Sequence, residues 1–140
     1  LIKYEKQELK NNINSFIRWV EFSSQVAIHS DKIKEMVIKS DKKIPAYGAS
    51  ARSSTLLNFC GINNKHISVV IDKNPMKNGL MTAGSDIPVV SLEDGLKEIK
   101  NSEKILLLAW NFQDEIVQEL REAGYSGKFF IPLPGDPYML

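Results

Sequence analysis

The sequence predicts a single α/β domain in which helices cover both faces of a mainly parallel β-sheet. Short β-branched or apolar runs alternate with helical segments after residue 43, and these runs lack the polar alternation of a half-exposed strand. A long segment without Gly or Pro precedes them. Strands that are apolar on both faces are typical of parallel sheets buried between helices. The element order therefore predicts a three-layer, Rossmann-like, doubly wound domain preceded by a long N-terminal helix.

The first predicted element is a long amphipathic helix. Residues 5 to 40 contain no Gly or Pro, and their apolar side chains fall largely at steps of three, four and seven, which is helical spacing. A continuous helix would run about 50 Å, longer than a compact domain of this size needs. We interpret residues 1 to 43 as a connecting helix that packs on the domain and also on a missing domain or another subunit. Two shorter helices, with the interruption around Ser23 and Ser24, are the alternative.

Residues 44 to 140 form the predicted domain itself. The first strand, Ile44–Tyr47, and the first helix, Ala51–Cys60, are each followed by a glycine, and a glycine after a helix is a common left-handed cap. His66–Asp72 is a β-branched strand. Residues 73 to 86 form a polar loop rich in turn residues, and Pro88–Val90 predicts a short third strand.

The second half of the domain repeats the pattern of helix and strand. Ser91 is a predicted N-cap for a helix that ends at Lys100. Lys104–Trp110 is a continuous apolar strand, Gln113–Ala123 a helix closed by a glycine, and Lys128–Pro132 the last strand. The remaining stretch, Pro132–Tyr138, is rich in Pro and Gly and is interpreted as a tail or as an exit into a missing segment.

The composition excludes several classes of protein. The 140 residues carry 18 Lys and Arg against 17 Asp and Glu, spread along the chain, so a nucleic-acid partner is not expected. One cysteine, Cys60, and two histidines provide neither an internal disulfide nor a set of zinc ligands. No apolar run approaches the roughly 20 residues of a membrane span, and the first residues lack a signal-peptide pattern. We expect a cytoplasmic protein with no metal and no membrane partner.

The residues that follow the first strand are typical of a phosphate site. A glycine turn that opens a helix directs free backbone N–H groups and the positive end of the helix dipole at one point. Arg52 adds a cation, and nearby hydroxyls add donors. A serine-rich helix cap that holds no ligand is the alternative. The candidate binding residues in this segment are Gly48, Ala49, Ser50, Arg52, Ser53 and Thr55.

This turn differs from the dinucleotide fingerprint G-x-G-x-x-G. Ser50 and Ser53 occupy its second and third glycine positions, and no two of the eight glycines lie two residues apart. The usual nicotinamide site and the G-x-G turn of a methyl-donor site are therefore not expected in this chain.

Further candidate residues follow the second strand. Asp72 lies 24 residues after Gly48, where an acid often binds a ribose hydroxyl pair, although it could equally initiate the next turn. Asn74, Lys77 and Gly79 belong to a polar loop long enough to be functional. Lys77 is a candidate for a phosphate or a base carbonyl, and an ordinary solvated lysine is the alternative.

Aromatic residues follow the apolar strand in the second half of the domain. Trp110 and Phe112 could stack on a ligand ring or pack into the core, and Asn111 could cap a helix or contact a ligand. Cys60 is expected to be a buried thiol. No Ser-His-Asp order or pair of carboxylates indicates a catalytic base, so no catalytic residue is predicted.

Four segments together resemble a known family. They are AYGASARSSTLLNFCGI (46 to 62), VVIDKNPMKNGLMTAGSDIPVVS (69 to 91), LLLAWNFQDEIVQEL (106 to 120) and GKFFIPLP (127 to 134). In this order they resemble the C-terminal domain of the S-adenosylmethionine-dependent sugar C-methyltransferases, over residues 9 to 134. The family usually has Gly-Tyr-Gly-Ala at the first turn and Lys-Gly after it, where this chain has Ala46 and the pair Arg52-Ser53.

The resemblance implies a division of labour between domains. An N-terminal zinc-binding domain and a central methyl-donor domain precede this one in the family, and the central domain forms the enolate of a keto-sugar and methylates it. We expect a fragment of such an enzyme that is not catalytic alone and needs no cofactor itself. It would hold the nucleotide diphosphate of the sugar, while S-adenosylmethionine binds the absent domain. The alternatives are an independent nucleotide-binding sensor module and a structural or oligomerisation domain.

Overall fold

The structure is a computed structural model that describes residues 2 to 40 and 42 to 140. Its strands are β1 (Ile44–Tyr47), β2 (Ile67–Ile71), β3 (Val89–Val90), β4 (Lys104–Leu107), β5 (Lys128–Ile131) and β6 (Tyr138–Met139). They form one sheet with the order β3-β2-β1-β4-β5-β6. The first five strands are parallel, and β6 pairs antiparallel with β5. The predicted α/β fold with a mainly parallel sheet is confirmed.

Helices lie on both faces of the sheet. The helices of the described residues are α1 (Ile2–Lys10), α2 (Phe16–Ile38), α3 (Ala51–Phe59), α4 (Leu92–Ile99) and α5 (Gln113–Glu122), and two short 3-10 helices are η1 (Pro75–Lys77) and η2 (Trp110–Phe112). Buried side chains of α2 and α3 pack on one face of the sheet, and those of α4 and α5 pack on the other. This arrangement is the three-layer, doubly wound one that the sequence predicts.

The strands are buried on both faces, as their apolar sequences require. Ala46 and Leu106 contribute to the core under α2 and α3, whereas Tyr47 and Leu107, their neighbours in the chain, contribute to the core under α4 and α5. Successive side chains of a strand point to opposite faces, so a strand between two helical layers needs an apolar residue at every position.

The long N-terminal helix is present, but it is shorter than predicted. The helical segment 5 to 40 is broken at residues 11 to 15, where Asn12 has a φ of 56°. The side chain of Ser15 accepts a hydrogen bond from the Arg18 amide and caps α2. The interruption is not at Ser23 and Ser24, because α2 continues through both and the Ser24 hydroxyl donates to the Val20 carbonyl at 2.9 Å.

Two other boundaries differ from the prediction. The strand expected to run to Trp110 ends at Leu107, and Trp110 belongs to η2. The C-terminal residues do not form an extended tail, because β6 returns to the sheet and Phe129 and Leu140 exchange backbone hydrogen bonds of 2.9 and 2.8 Å. Within the described residues, no helix combines the length and apolarity needed to cross a membrane.

Candidate functional site

The candidate site lies at the carboxyl ends of β1, β2 and β4. From β1 the chain crosses to β2 on one side, and from β4 it crosses to β5 on the other side. The point where connections diverge in this way forms a crevice in doubly wound sheets, and ligands bind there. The first turn, residues 48 to 50, and η2 flank this point.

Gly48 is required at the first turn for two reasons. Its φ is +98°, in the left-handed region that favours glycine. A Cβ atom at this position would lie 2.6 Å from the Cβ of Ala109, two residues after the end of β4. The Gly48 amide also donates to the Ile71 carbonyl at 2.7 Å. The missing side chain therefore lets the turns after β1 and β4 approach each other.

Ser50 and Ser53 form a capping box at the start of α3. The Ser50 hydroxyl accepts from the Ser53 amide, and the Ser53 hydroxyl accepts from the Ser50 amide, both at 3.2 Å. Ser53 is buried and its hydroxyl donates to the Gly48 carbonyl at 2.7 Å. The Thr55 hydroxyl, one turn later, donates to the Ala51 carbonyl at 3.1 Å. These three hydroxyls stabilise the turn and the helix, as a serine-rich cap does.

Several donors at the start of α3 have no partner among the described residues. The amides of Ala51 and Arg52 have no acceptor there, and neither does the hydroxyl of the half-buried Ser54. The exposed Arg52 guanidinium lies 5.8 Å from the centre of the Trp110 ring, a favourable cation–π geometry. Two amides, a hydroxyl and a guanidinium thus remain for an anionic ligand.

Asp72 and Lys77 hold the first turn from the neighbouring loop. The Asp72 carboxylate accepts from the Ala49 amide at 2.8 Å and from the Lys77 ammonium at 2.9 Å, and the same ammonium donates to the Ala49 carbonyl at 2.7 Å. Asp72 also accepts from the Asn74 amide at 2.9 Å, which is the turn-initiating role that the sequence left open. Both backbone polar groups of Ala49 are therefore bound by side chains.

The pKa of Asp72 reflects these contacts. Burial acts to raise the pKa of its carboxyl, but the hydrogen bonds from the Asn74 amide, the Lys77 ammonium and the Ala49 amide, together with the Lys77 charge, lower it below the usual value. The carboxylate is thus charged at neutral pH and keeps its ion pair with Lys77.

Asn74 and Gly79 shape the rest of this loop. The Asn74 side chain accepts from the Met76 amide at 3.0 Å and caps η1. Gly79 has a φ of +80°, and its amide donates to the Val89 carbonyl at 3.0 Å. Both residues are exposed, and both set the path of the loop between β2 and β3.

A cavity of about 200 Å³ lies between the start of α3 and this loop. Its lining includes Ser54, Lys77, Leu80, Met81 and Thr82. Apart from Lys77, these residues are absent from the predicted site. The sequence signal for this apolar lining is the pair Leu80 and Met81 inside an otherwise polar loop. In the structure both side chains are exposed.

The aromatic residues of η2 differ in their surroundings. Trp110 is half-buried and packs against the core beneath α5, so core packing and the contact with Arg52 occur together. Asn111 is exposed, and Phe112 is also exposed and leaves its ring accessible. Of the three predicted residues, Trp110 is therefore the one that the structure connects to the first turn, through its contact with Arg52.

A second polar cluster lies on the α5 side of β1. The Tyr47 hydroxyl donates to Glu119 at 3.0 Å, and Glu119 pairs with Lys73 at 2.8 Å. Burial, and then the hydrogen bond to Glu119 and its charge, raise the pKa of Tyr47 well above its usual value. Tyr47 therefore stays protonated and acts as a structural donor.

A family model described as the C-methyltransferase C-terminal domain matches residues 1 to 134. The chain belongs to this family. A relative, the C-methyltransferase NovU of Streptomyces niveus, is 31% identical over an alignment of 132 residues that covers 91% of this chain and 31% of NovU. The chain thus spans about a third of the length of that relative.

In this C-methyltransferase C-terminal domain, the predicted site residues fall into three groups. Gly48, Ala49, Ser50 and Ser53 build the turn. Asp72, Asn74, Lys77 and Gly79 build and brace the adjoining loop. Arg52 contacts Trp110, and Asn111 and Phe112 are exposed on the same 3-10 helix as Trp110. Thr55 is the exception, because its exposed hydroxyl is bound to its own helix.

Proposed function

We propose that this domain binds the diphosphate of a nucleotide-linked keto-sugar in a sugar C-methyltransferase, while another part of the enzyme binds S-adenosylmethionine and transfers the methyl group. One observation carries the proposal: the Ala51 and Arg52 amides, which have no acceptor among the described residues, share the start of α3 with the Arg52 guanidinium. Such a set suits a phosphate, and membership of the C-methyltransferase family supports the reaction class.

The diphosphate would occupy the start of α3. Arg52 is the cation that we assign to it, since the guanidinium is exposed and is oriented by Trp110. Lys77 would contribute indirectly, because its ammonium already contacts Asp72 and Ala49 and holds the turn in place. Binding groups that are pre-positioned in this way lose less entropy when the ligand binds.

The nucleoside and the sugar would lie on opposite sides of the diphosphate. Ser54, Leu80 and Met81 line the cavity beside the β2–β3 loop, where apolar side chains suit the flat face of a base. The sugar would then lie near Phe112 and the Trp110 ring, across the crevice. Binding energy from the nucleotide end would orient a distant reacting carbon.

The methyl donor does not fit the first turn. Ser50 occupies the second glycine position of the G-x-G-x-x-G fingerprint and Ser53 the third, where the backbone must approach the ligand closely. Their hydroxyls instead accept hydrogen bonds from each other's amides and cap α3. The space that Gly48 leaves is taken by Ala109. We therefore assign donor binding to a part of the enzyme outside this chain, and we expect this chain alone to be inactive. The proposal includes a cytoplasmic location, where the free thiol of Cys60 would stay reduced.

Calorimetric titration of the chain with thymidine diphosphate, NAD and S-adenosylmethionine tests this function. We expect saturable binding of the nucleoside diphosphate and none of the other two. Arg52→Ala should weaken binding about tenfold, the loss of roughly one charge-assisted hydrogen bond. The matched control is Lys65→Ala. Lys65 is an exposed cation just before β2, at the amino ends of the strands and so opposite the candidate site, and its loss should leave the affinity unchanged. Binding of NAD alone, no diphosphate binding, or equal effects of both variants would contradict the proposal.

A further inference from the structure

Tyr47, the last residue of β1, binds the segment after β4 through its backbone. Its carbonyl accepts hydrogen bonds from the Leu108 amide at 2.9 Å and from the Ala109 amide at 3.2 Å. Both of these residues lie between the end of β4 and the start of η2. The entry into η2 is therefore attached to the end of β1, directly before the first turn.

The side chain of the same tyrosine binds α5. Tyr47 is buried, and its hydroxyl donates to Glu119 Oε2 at 3.0 Å. The other carboxylate oxygen, Glu119 Oε1, pairs with the Lys73 ammonium at 2.8 Å. Lys73 lies two residues after the end of β2. We call Tyr47, Glu119 and Lys73 the α5 triad, because together they join α5 to the ends of β1 and β2.

The α5 triad adds a directional contact to apolar packing. α5 otherwise packs on the sheet through buried Ile116 and Leu120 and half-buried Val117, and hydrophobic burial has no preferred direction. A hydrogen bond weakens steeply when its distance or angle changes, whereas a buried charged group adds little stability compared with an apolar replacement. The α5 triad therefore restricts the sliding and rotation of α5 on the sheet.

A fixed α5 also fixes η2, since no loop separates them. Gln113, the first residue of α5, directly follows η2, and neither helix has a side-chain cap at its start among the described residues. The Tyr138 hydroxyl donates to the Gln113 side chain at 2.6 Å. Trp110 of η2 carries the ring that lies 5.8 Å from the Arg52 guanidinium. The orientation of Arg52 thus depends on where α5 and η2 are held.

We propose that Tyr47, Glu119 and Lys73 are positioning residues for the anion site at the start of α3. They act through α5 and η2, which place the Trp110 ring against the Arg52 guanidinium, and they do not themselves bind the ligand. This assignment rests on the proposed function, because it names the side chains that orient the cation of that same site.

Fluorescence of Trp110 tests the positioning without any ligand. The sequence has two tryptophans, and replacement of the exposed Trp19 by Phe leaves Trp110 as the reporter. In this background, Tyr47→Phe removes the hydroxyl and keeps the ring. We expect acrylamide to quench Trp110 more strongly in this variant, because η2 is then held less firmly against the core.

Tyr125→Phe is the matched control. Tyr125 has the same 4% exposure as Tyr47, and its hydroxyl donates to the Lys128 carbonyl at 3.1 Å, past the other end of α5. Urea denaturation should show similar losses of stability in the two variants, since each loses one buried hydrogen bond. Quenching of Trp110 should nevertheless stay unchanged in Tyr125→Phe.

Calorimetric titration with thymidine diphosphate tests the effect on the proposed site. If Tyr47→Phe leaves about a fifth of the molecules with η2 in the binding arrangement, the affinity falls about fivefold. Tyr125→Phe should bind as the wild type does. An unchanged affinity of Tyr47→Phe would overturn the positioning role.

A double-mutant cycle tests whether Tyr47 acts through Glu119. Glu119→Ala should increase the quenching of Trp110 at least as much as Tyr47→Phe, and the double variant should increase it no further, because both changes remove the same contact. Circular dichroism verifies that the variants fold. Additive increases in quenching, unchanged quenching in Tyr47→Phe, or equal quenching changes in Tyr47→Phe and Tyr125→Phe would each contradict the proposal.

The two proposals fail in different ways. A wild-type chain that does not bind thymidine diphosphate would contradict the proposed function, whatever the variants show. The quenching of Trp110 needs no ligand, so it decides separately whether the α5 triad positions η2.

Discussion

Arg52 and Lys77 are both cations beside the first turn, but their contacts give them different roles. The Lys77 ammonium is held by the Asp72 carboxylate and the Ala49 carbonyl, so it stabilises the protein itself. Arg52 is exposed and rests on the Trp110 ring, which leaves its donors available to a ligand. Two residues that look equivalent in the sequence are distinguished by which groups the fold brings within hydrogen-bonding distance.

At the same scale, we expect Gly48→Ala to reduce the free energy of unfolding by about 3 kcal/mol. A left-handed residue other than glycine costs roughly 1 to 2 kcal/mol, and the new methyl group would overlap Ala109, which adds overpacking strain. Urea denaturation followed by circular dichroism measures the change.

Gly124→Ala is the control for this substitution. Gly124 has a similar φ of +91°, but no atom lies within 4 Å of where its Cβ would be. Only the conformational part, about 1 kcal/mol, should be lost. Equal losses in the two variants would show that the contact with Ala109 is unimportant.

Among the elements, the loop after β2 determines the conformation of the loop after β1. Asp72 and Lys77 bind both backbone polar groups of Ala49, so the turn at the start of α3 depends on side chains that lie more than 20 residues away in the sequence. The proposed anion site at the start of α3 is thus supported by its neighbouring loop.

This support predicts a pH dependence of stability. The pKa of Asp72 is lowered in the folded state, so its contacts stabilise the protein fully above its ordinary pKa of 3.8 and lose this effect as the pH falls through the folded-state value. The difference in free energy of unfolding between wild type and Asp72→Asn should be largest at neutral pH and should shrink below pH 3.8.

Urea denaturation at several pH values measures this difference. Asp94→Asn is the control: the pKa of Asp94 is also lowered, chiefly by its hydrogen bond to Lys97, but this exposed pair is screened by water and should contribute less. A wild-type to Asp72→Asn difference that stays constant with pH would contradict the role of the Asp72 charge.

For the whole molecule, the order of strands determines where stability is highest. β1 and β4 lie at the centre of the sheet with a strand on each side and a helical layer on each face. The two edges are the two-residue strands β3 and β6. The centre of the candidate site is therefore attached to the most rigid part of the molecule.

Native-state hydrogen exchange should reflect this order. We expect the amides of β1 and β4 to exchange only through global unfolding, whereas those of β6 exchange through local opening of the edge. Mass spectrometry of peptides that cover each strand measures the rates. Exchange from β1 as fast as from β6 would contradict this distribution of stability.

The sequence by itself determined the fold class, most element boundaries and the segments that contain the candidate site. Its information is local: apolar strands without polar alternation, glycines after strands and helices, and serines at a helix start all act within a few residues. The same local signals identified Gly48, Arg52, Asp72 and Trp110 as residues that follow strands. The family resemblance was carried by four such segments, and the family match over residues 1 to 134 bears it out.

Only the tertiary structure decided how these residues work together. The return of β6 to the sheet and the hydrogen bond from Lys77 to Ala49 depend on contacts between segments that are separated in the sequence, which local patterns do not encode. The same is true of the exposed apolar side chains in the first two turns of α2, because apolar spacing on a helix does not indicate where the sheet beneath it ends. A sequence pattern identifies the apolar side chains that can be buried, and the packed fold determines which of them are buried.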